Sequence, residues 1–348
     1  MRGSGIVAAL TAAILFGAST PLARALTGAV DPAWLAGCLY AGSGLGLSVV
    51  FALRRVTGNA QRISPLTRRD LPWLVAAIAS GGIVAPLLFT FGLRETTGAT
   101  ASLLLNLETV LTVLLAWFVF REHYGPRVVV GMSLIVVACA LVGGLPEVGG
   151  AGWSALLIAL ACLGWALDNN LTRKIAGSDA LSIAMAKGLC GGVVNLSLAA
   201  VLAGPPPAPV PAIAAGVVGF LGYGVSLVLF VVALRSLGTA RASAYYATAP
   251  FIGVAVAFAV LAERPGVAFW IALPLMALGV WLHLTERHTH LHAHEALVHD
   301  HPHQHDVHHR HTHDFPWDGT EPHAHRHAHE PLTHAHAHFP DVHHRHGH

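Results

Sequence analysis

Five polar side chains stand inside long apolar runs of this sequence, and they are the residues whose types could do chemistry. Glu108 lies in the run 97–120, Asp168 and Asn169 in 151–172, and Lys187 and Asn195 in 180–203. A charge at the centre of a bilayer costs about 2.5–3.5 kcal/mol on insertion scales, so such residues are rare and usually functional. Lys187 and Asn195 are eight positions apart and share one helical face. Lys187 and Asp168 fall at similar depths, which predicts a buried pair. That pair is either a substrate or counter-ion site that opens during transport, or a fixed strut. Glu108 has no adjacent cation. A carboxyl group so placed is least costly when neutral, which suits proton-coupled exchange; the alternative is a carboxyl held permanently by a neighbouring helix. Asn106, Ser19, Thr20, Tyr245 and Tyr246 are weaker candidates. Ser19, Thr20 and Pro21 interrupt the first run, and Pro21 frees a backbone carbonyl of the kind that lines transporter cavities. Pro86, after Gly81-Gly82, and Pro274 are candidate hinges. Glu122 and Glu263 end their runs, where structural or solvated roles dominate.

The elements that carry these residues follow from composition. The chain is 54% hydrophobic and only 11% charged, against about 25% charged in a soluble domain. A bilayer span needs about 20 mostly apolar residues. Ten runs qualify, at 5–26, 33–53, 71–93, 97–120, 128–145, 151–172, 180–203, 211–234, 238–262 and 266–285. The first follows Arg2 and imitates a signal peptide, but it is long enough to span and is expected to stay uncleaved. With the N-terminus inside, twelve Lys and Arg residues fall in inner loops. Only Arg24, Arg94 and Arg264 fall in outer ones. The expectation is a multi-pass protein of the bacterial inner (cytoplasmic) membrane with both termini cytoplasmic. Cys38, Cys139, Cys162 and Cys190 all fall inside spans, with no C-x-x-C pair, and read as small hydrophobes. A net charge of +2 gives no nucleic-acid footprint.

The chain also repeats itself. Sliding it by 141 positions matches 81–125 to 222–266 at 14 of 45 positions, including Leu93-Arg94 with Leu234-Arg235 and Glu122 with Glu263. A weaker pairing sets Leu22-Ala23-Arg24 against Leu171-Thr172-Arg173, which puts Ser19 at the depth of Asp168. Each half holds five spans, an odd number, so the second half is inverted relative to the first. Inverted repeats with a site at their interface are typical of secondary transporters. At this point residues 1–285 resemble the EamA-type transporters of the drug/metabolite superfamily. The resemblance is carried by the stretch Ala101-Ser102-Leu103-Leu104-Leu105-Asn106-Leu107-Glu108 with Arg121-Glu122. Its counterparts are Ala242-Ser243-Ala244-Tyr245-Tyr246, Ala249-Pro250 and Ala262-Glu263. The family's mid-helix proline is kept as Pro250 but replaced by Thr109 in the fourth helix. The resemblance implies a ten-helix bundle that exports or exchanges metabolites on an ion gradient; it does not fix the substrate.

Residues 286–348 change character. They hold 23 of the 25 histidines, largely as His-x-His. They duplicate themselves: 288–313 returns as 323–348 with 17 of 26 positions identical. With no hydrophobic run this tail forms no core and is expected to be disordered without metal. Imidazole is the commonest transition-metal ligand. The ligand candidates are His288, His290, His292, His294, His308, His309, His311, His323, His325, His327, His329, His343, His344 and His346, for Zn, Ni, Co or Cu. The tail would deliver, sense or buffer metal, or act as a charge cloud titrating near about pH 6.5.

The expected fold class is therefore an all-α polytopic membrane protein of ten transmembrane helices in two inverted five-helix repeats, plus the disordered tail. The domains are 1–148, 149–285 and 286–348. No P-loop, G-x-S-x-G or H-E-x-x-H motif is present, so an enzyme is not expected and no cofactor is required. The leading function is secondary active transport of a small organic metabolite or drug-like compound. The alternatives are a transition-metal exporter fed by the tail and a metal sensor without transport. Expected partners are that substrate, the lipid bilayer, metal ions at the tail and a second copy in a homodimer. Nucleic acid is not among them.

Overall fold

The computed structural model describes residues 2–57, 66–120, 125–143, 151–175, 179–237 and 239–285, together with 288–294, 297–303, 323–329 and 332–338. Contacts divide the chain into two units, Met1–Glu286 and Arg287–His348.

Ten helices of the first unit are long and apolar enough to cross a membrane. They are α1 (Ser4–Leu26), α2 (Pro32–Val56), α3 (Leu71–Arg94), α4 (Gly98–Val119), α5 (Pro126–Gly143), α6 (Gly152–Arg173), α7 (Ala180–Leu202), α8 (Pro209–Leu234), α9 (Arg241–Leu261) and α10 (Val267–Leu284). Each lies within a few residues of its expected run. Local chemistry sets several starts. Asp31 accepts from the N–H of Ala33 ahead of Pro32, Thr97 from Thr100, and Asp179 from Leu181 and Ser182.

The helices pair across the repeats. α1 packs on α8 and α9, α6 on α3 and α4, α2 on α7, and α5 on α10. In lipid no hydrophobic force drives such pairs, so close approach between small residues must supply the contact. A side chain added at Gly44 would meet the backbone of Gly188 and Leu189, and one added at Gly188 would meet Gly44. The α2–α7 crossing is therefore available only to glycine on both sides. Gly17 of α1 meets Ala249 of α9 in the same way.

The inverted relationship extends to irregularities in the helices. α3 opens into a π-helix over Ile78–Val84 and α8 into one over Phe220–Val225. The 141-residue shift carries one segment onto the other. α4 breaks at Leu105–Asn106 and α9 at Ala247–Thr248, within one residue of the same shift. Pro250 accounts for the second break. In α4, where Thr109 replaces the proline, Asn106 does the work: its Nδ2 donates to Leu103 O at 3.1 Å, and a side chain bonded to its own turn competes with the helical ladder.

The largest hydrophobic core joins nearly all the helices and runs through the end of the bundle that carries Arg24, from Ala23, Leu35 and Phe89 to Ala101, Val254 and Phe269. Three smaller clusters lie towards the opposite end. One is Ala8, Ala9, Ala233 and Ala242, another Leu47, Leu181 and Ala184, and the third Leu74, Ile175 and Ile183.

In the second unit the His-x-His alternation has the period of a strand. Four short strands form: β1 (His288–His294), β2 (Leu297–His303), β3 (His323–His329) and β4 (Leu332–His338). They pair antiparallel as β1 with β4 and β2 with β3. Each ladder joins one strand from each copy of the duplication. Histidine stands opposite histidine at 288/338, 290/336, 292/334, 299/327, 301/325 and 303/323. This local pairing is the exception to the expected disorder of the tail, and ladders of only two strands are marginal in water.

Candidate functional site

The polar residues of the apolar runs gather where α6 and α7, from the second repeat, meet α3 and α4, from the first. Lys187 Nζ lies 2.5 Å from Asp168 Oδ2. The other carboxylate oxygen of Asp168 accepts from Thr172 Oγ1 at 2.9 Å. Both oxygens are thereby engaged, and the Asp168 side chain is only 6% exposed against 20% for Lys187. Burial of such a pair is offset in part because both carboxylate oxygens are engaged.

One turn of α6 explains the rest. Asn169 Nδ2 donates to Glu108 Oε1 at 2.8 Å, so consecutive residues of α6 hold α7 and α4. Asn170 reaches the backbone carbonyls of Thr112 at 3.3 Å and Ala166 at 2.9 Å. Glu108 is partly buried and Asn169 is exposed, whereas Asp168 and Asn170 are buried. Glu108 thus sits beside the ion pair, bridged to it through the backbone of α6.

The π-helix of α3 supplies the wall behind the pair. A π-turn releases carbonyls from the helical ladder. Gly81 O accepts from Tyr40 Oη at 2.7 Å and from Trp165 Nε1 at 3.1 Å, and Trp165 also donates to the Tyr40 hydroxyl oxygen at 3.1 Å. Gly82 O accepts from Asn195 Nδ2 at 3.1 Å. Asn195 is fully buried, and its Oδ1 has no hydrogen-bond partner. Asn195 and Lys187, on one face of α7 as expected, therefore reach different features: the π-turn and Asp168. Gly81 is obligatory, because a side chain there would collide with the Asp168 carboxylate.

The second repeat builds the mirror image without charge. A side chain at Gly222, in the π-helix of α8, would collide with Ser19, as one at Gly81 collides with Asp168. Ser226 Oγ donates to Gly222 O. The rings of Phe16 and Tyr223 lie 6.2 Å apart, those of Phe16 and Tyr246 5.4 Å, and those of Tyr40 and Tyr223 5.9 Å. Tyr246 also packs 4.5 Å from Phe230. The 141-residue shift takes Glu108 to Ala249, and the weaker pairing of Leu22-Ala23-Arg24 with Leu171-Thr172-Arg173 takes Asp168 to Ser19, so the charged cluster occupies one half of the interface and an aromatic-hydroxyl cluster the other.

Of the candidates from sequence, Glu108, Asp168, Asn169, Lys187 and Asn195 come together. Ser19 and Tyr246 join the mirror half, and Thr20 is buried on α1. Asn106 is turned to its own backbone, and Tyr245 packs with the Ala8–Ala233 cluster. Sequence reasoning missed Tyr40, Trp165, Thr172, Tyr223 and Ser226. The Gly81-Gly82 and Gly222-Tyr223-Gly224 turns were the available signal, because they occupy matching places in the two repeats. Of the candidate tail histidines, the eight at 288–294 and 323–329 lie in strands, with His294 opposite Leu332 and His329 opposite Leu297. His308, His309, His311, His343, His344 and His346 lie outside the described residues. Among the described residues no group of three His, Cys, Asp or Glu side chains is arranged to hold a metal.

An inverted ten-helix bundle with a polar cluster between its repeats defines a membrane carrier. The EamA-like transporter family matches residues 3–144 and 152–285, and the chain belongs to it. An uncharacterized transporter of Methanothermobacter thermautotrophicus is 27% identical over 295 residues, covering 80% of this chain and 85% of that one. A crystal structure at 20% identity, TM-score 0.59, covers 81% of this chain and 96% of its own, and shows likeness of fold alone. The protein is a membrane transporter of a small molecule.

Proposed function

We propose that the chain is an ion-coupled secondary carrier that exports or exchanges a small organic metabolite or drug-like compound across the bacterial cytoplasmic membrane, with both termini on the cytoplasmic side. The observation that carries this reading is the joining of Glu108 and the Lys187–Asp168 pair through adjacent residues of α6. A neutral Glu108 leaves Lys187 to Asp168. Loss of its proton puts a second carboxylate within electrostatic reach of one ammonium group, which loosens the pair and frees polar groups for a substrate. Proton and substrate then compete for the same network, and that competition is what exchange requires.

The test uses proteoliposomes loaded with a pH-sensitive dye and challenged with a panel of amino acids, sugars, nucleosides and cationic drugs. A subset is expected to drive proton movement in the wild type. Glu108→Gln keeps the acceptor for Asn169 and should abolish that movement without loss of fold. Undiminished proton movement in Glu108→Gln sinks the coupling role.

The tail supports a separate activity, transition-metal binding, because histidines of the two copies face one another across both ladders. Nickel, zinc and cobalt flux in the full chain and in a truncation after Glu286 separates the uses of such binding. Tail-dependent metal flux replaces the organic substrate with a metal. Binding without flux makes the tail a sensor or buffer.

A further inference from the structure

The duplication of the tail and the pairing of its strands obey one rule. A shift of 35 positions carries β1 (His288–His294) onto β3 (His323–His329) and β2 (Leu297–His303) onto β4 (Leu332–His338). Yet no strand pairs within its own copy. β1 of the first copy pairs with β4 of the second, and β2 of the first with β3 of the second. The shift therefore carries one ladder onto the other with the copies exchanged: pair 288/338 becomes 323/303, and pair 292/334 becomes 327/299. The two ladders are two examples of one unit, and each needs both copies.

The register fixes the faces. In an antiparallel ribbon, opposed positions share a face, and so do positions two apart along a strand. Histidine falls at every second position of β1 and opposite histidine of β4, so all the histidine positions of that ladder share one face. The other face carries only threonine, leucine and alanine. The β2–β3 ladder is built alike, with Asp300 opposite Arg326 on its histidine-free face. Each ladder thus has a central histidine pair between two flanking ones. Pair 290/336 lies between 288/338 and 292/334, and pair 301/325 lies between 299/327 and 303/323.

We propose that each ladder is one transition-metal site of four imidazoles, taken from its central pair and one flanking pair, so that each ion joins the two copies of the duplication. Four neutral imidazoles suit Zn in a closed tetrahedral site and Ni or Cu in a planar one. The register decides which positions share a face; drawing four imidazoles onto one ion is left to the metal. A ladder of two strands is marginal in water. An ion that takes ligands from both strands closes it, because binding free energy becomes folding free energy where the open chain has no site. The proposal rests on the reading of the tail as a metal binder, and it adds which histidines act together and how many ions the tail holds.

Equilibrium dialysis of the full chain in detergent against nickel or zinc tests this, with X-ray absorption to count the imidazoles on the metal. One tightly held ion per ladder is expected, with four imidazoles on each. Two double variants remove equal numbers of histidines and separate the arrangements. His290→Ala with His336→Ala takes both from the β1–β4 ladder, so one ion should be lost and the other kept at full affinity. His290→Ala with His301→Ala takes both from the first copy but one from each ladder. Both ions should then weaken by at least about tenfold, since even an outer-shell partner of a ligand is worth that much. The reverse pattern means that each copy binds metal by itself and overturns the proposal. Indistinguishable behaviour of the two variants means an unordered pool of histidines and overturns it as well. In both of those cases the tail still binds metal. A full chain that holds no metal sinks that underlying reading instead.

Discussion

Lys187→Met removes the cation from a carboxylate that is 6% exposed and leaves it only the Thr172 hydroxyl. Breaking a buried ion pair from one side costs about 3–5 kcal/mol, and the low end applies because Lys187 keeps 20% of its side chain exposed. The expected loss is about 3 kcal/mol. Asp168→Asn, which keeps the shape that fits against Gly81, strands Lys187 and should cost about 2 kcal/mol. Made together, the two changes leave no unpaired charge and should cost about 1 kcal/mol. The coupling is thus roughly 4 kcal/mol in favour of the pair acting as a unit. Thermal unfolding of the purified protein in detergent reads this. At about 2–4 °C per kcal/mol for a large domain, Lys187→Met should lower Tm by roughly 6–12 °C and the double variant by about 2–4 °C. A double variant that loses the sum of the two single losses refutes the reasoning. Flux in the double variant then separates strut from site. Retained flux makes the pair a strut, and lost flux in a stable protein makes its opening part of transport.

Gly81→Ala drives a methyl group into the Asp168 carboxylate and should cost about 1–3 kcal/mol, read as a lower Tm. Ser19→Gly should rescue the mirror variant Gly222→Ala and leave Gly81→Ala unrescued; equal rescue of both contradicts the pairing of these contacts. Tyr40→Phe removes one donor to Gly81 O, but Trp165 still donates to it, so the loss should stay near about 1 kcal/mol in the same assay. A loss several times larger means that Tyr40 does more than brace the π-turn. Truncation after Glu286 should leave the Tm of the membrane unit within about 2 °C and abolish retention on immobilised nickel. Retention of the truncated protein counts against the tail as the metal ligand.

Hydropathy alone determined the ten spans, because a bilayer demands about 20 apolar residues per crossing whatever the tertiary packing. The odd number of spans per repeat determined the inversion, and the cost of buried charge marked Glu108, Asp168 and Lys187. The weak pairing of Ser19 with Asp168 proved to be a structural equivalence, since each blocks a side chain at a glycine of the opposite repeat's π-helix. Other features were decided only by the tertiary structure. The π-helices leave no mark in a hydropathy profile, because they rearrange backbone bonds and keep the same apolar side chains. Tyr40 and Trp165 look like ordinary span aromatics until the released Gly81 carbonyl gives their polar atoms a common partner. Glu263 read from sequence as a helix end with a structural or solvated role. Its bonds to Gly98 and Ala99 depend on a left-handed turn and on a helix start 165 residues away, and no local pattern brings those together. Sequence specified which groups are costly to bury, and the fold chose which partners meet that cost.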